Sequence, residues 1–172
     1  DTISLMPTNL YGEGDNYHMT DSHVVPALIR RFYEAKKDNV KFVECWGSGS
    51  PRREFMNVED LGSASVFVLE NWSPNKENYS VNPHAKEPLN YLNVGTGKDI
   101  SIKDLAILIS KFIGFKGSII WDQTQPDGTP KKQLNVDKLK SLGWFPKIKL
   151  IDGISQTIKD FLEKSRENLN KY

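Results

Sequence analysis

Short strand-like runs and amphipathic helical stretches take turns along this chain, and that alternation narrows its fold more than any other feature. Val24, Leu28 and Phe32 recur every four residues with Val25, Ile29 and Tyr33 beside them. That is a broad apolar face on a helix expected from Ser22, as N-cap, to about Lys37. Pro26 falls early enough to sit in its first turn. A second helix is expected from Asp60 through LGSASVFVLENW, with Ala64, Phe67 and Val68 toward a core. A third follows the capping-box variant Ser101–Asp104 to about Ile113, and two more lie near Asp137–Leu142 and Asp152–Lys164. Between them Lys41–Trp46, Tyr91–Val94 and Ser118–Trp121 read as strands, and Thr2–Met6 reads as a short buried strand ending at Pro7. Asn9–Asp21 and Asp122–Lys132 carry turn residues, and Ser73–Pro88 is a polar excursion with three prolines, expected to be a mobile surface loop. Strands alternating with helices specify an α/β fold.

A chain of 172 residues holds one domain, or one and part of another. Its formal net charge of +1 offers no global attraction to nucleic acid or to a membrane surface, so neither partner is expected. Electrostatic function must be local, in pairs such as Arg30-Arg31, Arg52-Arg53 and Lys131-Lys132, each of which taken alone reads as solvated surface. Cys45 is the only cysteine, which rules out an intrachain disulfide and a cysteine metal cluster, and fits a reducing, cytoplasmic setting. Its expected role is that of a small buried residue. No apolar run approaches the ~18–20 residues that span a bilayer. The opening at Asp1 directly into a strand-like run is the pattern expected of a fragment.

The stretch WGSGSPRREF, Trp46–Phe55, puts two glycines, a proline and two arginines close together. It fails as a dinucleotide loop: the third glycine of G-x-G-x-x-G is absent and Pro51 opposes the helix that should follow. Gly95-Thr-Gly97 fails too, with Ile100 at the third position. Both pairs read as turn chemistry. His18, His23 and His84 are scattered, and neither an HExxH spacing nor a G-x-S-x-G elbow occurs.

Several segments in order carry more than their parts: MPTNLYGEGDNYHMTDSHVVPALIRRF, VECWGSGSPRREFMNVEDLGSA, YLNVGTG with SIKDLA, and QPDGTPKKQLNVDKL with SLGW. Together they resemble the C-terminal half of the GDP-L-fucose synthases, which are extended short-chain dehydrogenase/reductases. The resemblance implies the C-terminal substrate-binding part of such a fold, with residual strands of the Rossmann sheet. Residues 1–10 would be the last part of the nucleotide-binding domain. Residues 11–172 would be mainly substrate-binding, with 57–72 and 91–97 packing on the Rossmann sheet.

It further implies an enzyme that epimerises GDP-4-keto-6-deoxy-D-mannose at C3 and C5 and reduces the C4 ketone with NADPH. Pro7, Thr8, Asn9 and Leu10 fall where the family lines the cofactor and sugar. His23 falls on the family's acid/base histidine, and Arg31, Trp46, Arg53 and Asp127 fall on contacts to the GDP-sugar. The residue types suit that chemistry. Epimerisation beside a ketone needs proton carriers, for which an imidazole works near neutral pH. A diphosphate matches the guanidinium fork. On an ideal helix Arg30 lies nearer His23 in azimuth than Arg31, which is roughly 80° round and about 12 Å along; the family match selects Arg31. Of the two strand arginines, Arg53 is the expected ligand contact and Arg52 is expected to face solvent, while Phe55, Val58 and Leu61 read as packing.

The family's dinucleotide fingerprint, its Ser and Tyr-x-x-x-Lys, and its epimerisation cysteine belong before the first residue of this chain. The full-length enzyme would use NADP(H), this chain would hold none tightly and would not turn over, and a homodimer in the cytoplasm is expected. A related nucleotide-sugar 4-epimerase or 4,6-dehydratase, and a non-catalytic nucleotide-sugar-binding module, are the alternatives.

Overall fold

A computed structural model describes residues 2–74 and 90–169. The element order is β1 (Ser4–Pro7), β2 (Asn9–Tyr11), α1 (Val24–Lys37), β3 (Phe42–Trp46), β4 (Arg52–Asn57), α2 (Val58–Asn71), β5 (Tyr91–Val94), β6 (Asp99–Ser101), α3 (Ile102–Ile113), β7 (Ser118–Asp122), β8 (Lys131–Lys132), α4 (Asp137–Ser141) and α5 (Leu150–Leu169). Most of the Ser73–Pro88 excursion, with His84, lies outside the described residues.

Three sheets form: β1 with β5, β3 with β7, and a group in which β4 pairs β2, β6 and β8. Every pairing is parallel except β4 with β6. The α/β class is therefore the observed one. β4 organises the molecule because its side chains alternate between two surfaces. Phe55 enters a core with Tyr11, Ile29, Phe32, Leu105 and Ile154. Met56 enters a second with Val68, Trp72, Leu92 and Trp144, against which Leu5 and Leu10 also pack. Thus α2, β1 and β5 share one apolar cluster, while α1, α3 and α5 share the other.

Local signals explain most boundaries. Ser101 Oγ accepts the Asp104 N–H at 3.0 Å, the cap expected of α3, and Gly114 ends that helix in the left-handed region at φ 73°. Asn57, not Asp60, starts α2: its Oδ1 accepts the Glu59 N–H at 2.9 Å. Asp60 lies inside the first turn, buried, its two oxygens accepting the Lys147 and Ile148 N–H groups at 3.0 Å each. His23, not Ser22, occupies the N-cap of α1, and without a side-chain cap bond.

Two burial expectations do not hold. β1 is not a buried strand: among the described residues it pairs with β5 alone, Leu5 packs on the second cluster, and Met6 is 52% exposed. Val58 is 40% exposed because it lines a cavity beside Gly12, whereas Phe55 is buried and Leu61 packs on the second cluster. Cys45 is buried in the first core.

Candidate nucleotide-sugar site

The turn between β3 and β4 builds the site's first wall. Gly47 and Gly49 both adopt positive φ, at 75° and 74°, a region that favours glycine. A Cβ on Gly49 would also lie 2.7 Å from the Trp121 indole. Ser48 is tied across the turn: its N–H and Oγ donate to the two oxygens of Asp127 at 2.8 and 2.6 Å, and Oγ meets Ser50 Oγ at 2.7 Å. The hydroxyl, then the N–H, holds the Asp127 carboxyl below its ordinary value. The double-glycine segment is thus a turn clamped by Asp127, consistent with its failure as a phosphate loop.

That clamp leaves Trp46 at the end of β3 with its indole 66% exposed. Asn9, Trp46, Arg53, Pro126 and Asp127 line a cleft of about 200 Å³. Four of the nine residues expected at a site therefore meet in one place, drawn from β2, β3, β4 and the Asp122–Pro130 loop.

The two arginines of β4 differ as strand alternation requires. Arg52 bonds Asp99, Nε at 2.9 Å and Nη2 at 2.7 Å, and Lys131 Nζ reaches the other Asp99 oxygen at 3.1 Å. The Arg52 hydrogen bond leads the causes that depress the Asp99 carboxyl, against some burial. Arg52 is thus engaged rather than simply facing solvent. Arg53 turns to the other side and donates only to carbonyls, those of Arg52 at 2.8 Å and Thr129 at 2.6 Å. It has no carboxylate partner among the described residues.

The sequence marks Lys132 as half of a basic pair and not as a site residue. In parallel register Arg52 opposes Lys131 and Arg53 opposes Lys132, so Lys132 stands beside Arg53, and it has no ion-pair partner among the described residues. The PKK run held the signal, but only pairing to β4 shows which lysine is spent on Asp99.

Glu54, also unmarked in the sequence, locks these pieces together. It is fully buried, yet its carboxylate meets only donors: Oε1 accepts the N–H of Thr96 at 2.5 Å and of Gly97 at 2.7 Å, and Oε2 that of Leu134 at 2.9 Å. Its carbonyl accepts Thr8 Oγ1 at 3.1 Å and Asn9 Nδ2 at 2.8 Å. One residue thus holds the PTN segment, the GTG turn and the chain leaving β8.

The remaining expected residues lie around this centre. Pro7, Thr8 and Asn9 face Lys132 and Gln133 across an open cleft of about 400 Å³. Leu10 and His23 line a separate cavity of about 220 Å³ with Tyr11, Gly12, Asp15 and Val58. Asn9 and Val24 line the Trp46–Arg53 cleft, whereas their chain neighbours Leu10 and His23 line this cavity. Arg31 does not line either; its Nη1 approaches the Glu44 carbonyl at 3.4 Å, on the open side of β3 that also bears Trp46. Arg30, the alternative by azimuth, is held by Glu34 at 2.6 Å and by the Tyr17 carbonyl at 2.8 Å.

Comparison with known proteins bears on the fold and on the kind of protein this chain resembles. Residues 1–82 match the model of the NAD dependent epimerase/dehydratase family. The chain is 50% identical over 95% of its length to Putative GDP-L-fucose synthase 2 of Arabidopsis thaliana, covering 45% of that protein. It is 46% identical, again over 95%, to GDP-L-fucose synthase of Escherichia coli (strain K12), covering 49% of it. Over its first 82 residues the chain is similar to the NAD dependent epimerase/dehydratase family. It has the α/β fold of the extended short-chain dehydrogenase/reductases, and it resembles the GDP-L-fucose synthases. The solved GDP-6-OMe-4-keto-L-xylo-heptose reductase from Campylobacter jejuni superposes with a TM-score of 0.82 at 30% identity, over 95% of this chain and 54% of that one. The chain therefore spans about half the length of the family members it matches. Among the described residues no helix is long and apolar enough to cross a membrane.

Proposed function

We propose that this chain forms the GDP-sugar-binding part of an NADPH-dependent epimerase/reductase that converts GDP-4-keto-6-deoxy-D-mannose to GDP-L-fucose. The observation that carries the proposal is the Arg53 guanidinium, without a carboxylate partner among the described residues, in a cleft beside the open Trp46 indole. Two relatives at 46% and 50% identity, both named GDP-L-fucose synthase, supply the substrate class.

In this reading Arg53 takes the diphosphate, since a guanidinium fork suits phosphoryl oxygens. Trp46 presents an aromatic face and an indole N–H to the ligand. Arg31 adds charge from the α1 side of β3. Asp127 acts by holding the Gly47–Ser50 turn against the cleft, because both of its oxygens already serve Ser48. His23 is the acid/base group, taking or returning a proton on the carbon next to the ketone.

Pro7, Thr8 and Asn9 form one wall for the dinucleotide, with Leu10 following on the side of the His23 cavity. Thr8 and Asn9 direct their side-chain donors at the Glu54 carbonyl. They therefore offer shape, while Lys132 across the cleft offers the cation that an anionic dinucleotide needs, and the donor set fits. When bound, the reduced nicotinamide supplies the hydride for C4. Residues 1–10 and the segments packed with them, 57–72 and 91–97, belong to the nucleotide-binding side. A cytoplasmic homodimer is part of the same proposal, as is the absence of NADPH oxidation by this chain by itself.

Calorimetry of the chain with GDP and with a GDP-hexose tests the reading. Arg53→Ala should weaken binding roughly 10- to 100-fold, the range for losing charge-assisted hydrogen bonds. Arg52→Ala, which removes an ion pair outside the cleft, should change it little. No binding, or equal effects of the two substitutions, would overturn the assignment.

A further inference from the structure

His23 sits at an electrostatically awkward place for a group that must carry a proton. It is the N-cap of α1, makes no side-chain cap bond, and is followed by a first turn with no acidic residue. The positive end of a helix dipole disfavours an imidazolium there. A protonated His23 therefore needs a counter-charge from elsewhere in the fold.

The cavity that His23 lines contains one suited to the task. Asp15 lines it too, brought in by the Gly12–Gly14 turn. Its Oδ1 accepts the Asn16 N–H at 2.8 Å, whereas Oδ2 is sealed from solvent with no hydrogen-bond partner among the described residues. We propose that Asp15 is the positioning carboxylate of His23, holding the imidazolium form and the ring's orientation during proton transfer. This rests on the reading of His23 as the acid/base group.

Other charged groups around the cavity are committed or turned away. Glu13 shares the cavity but is exposed. Asp21 lies 3.5 Å from His18, and Arg30 is taken by Glu34. From α5, Asp160 accepts the Gly14 N–H at 3.4 Å and pairs with Lys164 at 2.7 Å. At the start of α2, Asp60 serves the Lys147 and Ile148 N–H groups, and Glu59 is exposed. Burial pushes the Tyr11 and Tyr17 phenols up, so both remain neutral across the working range. Burial likewise lifts the Asp15 carboxyl above its ordinary value, while the Asn16 N–H, the charge of His23 and the Gly12 N–H pull the other way. The charge of His23 thus bears on the Asp15 carboxyl.

The test is an NMR titration of this chain with ring-labelled histidine. Asp15→Asn should lower the His23 midpoint. Glu13→Gln and Asp21→Asn should leave it in place. Coupling is reciprocal, so His23→Gln should raise the Asp15 carboxyl further. An unmoved His23 in a folded Asp15→Asn chain overturns the proposal. Should that variant fail to fold, an unmoved Asp15 in His23→Gln does the same. No substrate is present, so failure of GDP-sugar binding would strike the functional reading and leave this coupling standing.

Discussion

Replacing Glu54 with glutamine probes how the site is held together. The change keeps shape and volume but converts one acceptor oxygen into an NH2 donor. In the better orientation the amide oxygen stays on the Thr96 and Gly97 N–H groups, at 2.5 and 2.7 Å in the parent, and the NH2 faces the Leu134 N–H that Oε2 accepts at 2.9 Å. The Leu134 donor then has no partner, at about 1–3 kcal/mol for a buried unsatisfied group. The other two bonds lose their charge assistance, which about halves their strength. Against this, glutamine avoids desolvating a carboxylate at a position with no solvent exposure. The balance is about 2 kcal/mol of destabilisation, roughly a 30-fold change in the folding equilibrium. Urea denaturation of parent and variant measures it, with hydrogen exchange at Thr96, Gly97 and Leu134 as the local readout. Glu54→Ala, which abandons all three donors, should lose more, about 3–5 kcal/mol. If glutamine leaves both the urea midpoint and those three exchange rates unchanged, the carboxylate does not hold the segments and the reasoning fails.

Further outcomes are expected elsewhere. Because the folded Asp127 carboxyl titrates below its unfolded value, the clamp stabilises the chain above the ordinary carboxylate range and is lost as pH falls through the lower folded value. Tryptophan fluorescence followed below about pH 4 should report that release through the neighbouring Trp46 and Trp121, and Asp127→Asn should abolish the step. Gly49→Ala should destabilise by roughly 1–3 kcal/mol, since alanine must hold φ near 74° and meet the Trp121 indole, as thermal denaturation would show. Ser101→Ala should remove about 1 kcal/mol through loss of the α3 cap, measured the same way.

Local chemistry was readable in the sequence wherever a residue acts on its own neighbours. The Ser101 cap, the Gly47 and Gly49 turn, the apolar face of α1 and the burial of Cys45 all follow from short-range pattern. So did the gathering of Asn9, Trp46, Arg53 and Asp127, because the family resemblance supplied positions that no periodicity could. What escaped was set by partners distant in sequence. Glu54 sits between two basic residues and an aromatic, and nothing local announces a buried carboxylate bonded to residues 42 and 80 positions away. The division of labour between Lys131 and Lys132 depends on pairing with β4. Asp60 looked like a helix start because acidic residues favour that place, but the fold uses it to hold the Lys147–Ile148 chain.

β4 has a bearing on how such a cleft could diversify. From Arg52 to Met56 its even positions reach Asp99, the buried carboxylate cradle and the second core, while Arg53 lines the Trp46 cleft and Phe55 enters the first core. Inserting or deleting a single residue would exchange the two sets, driving an arginine into the cradle and a glutamate into the cleft. Length changes here are therefore closed to natural or laboratory drift. Changes in the cleft must instead arise from substitution within the strand, or from resizing the Asp122–Pro130 loop, which the Ser48–Asp127, Gly47–Asp122, Arg52–Pro130 and Arg53–Thr129 bonds tie to β3–β4.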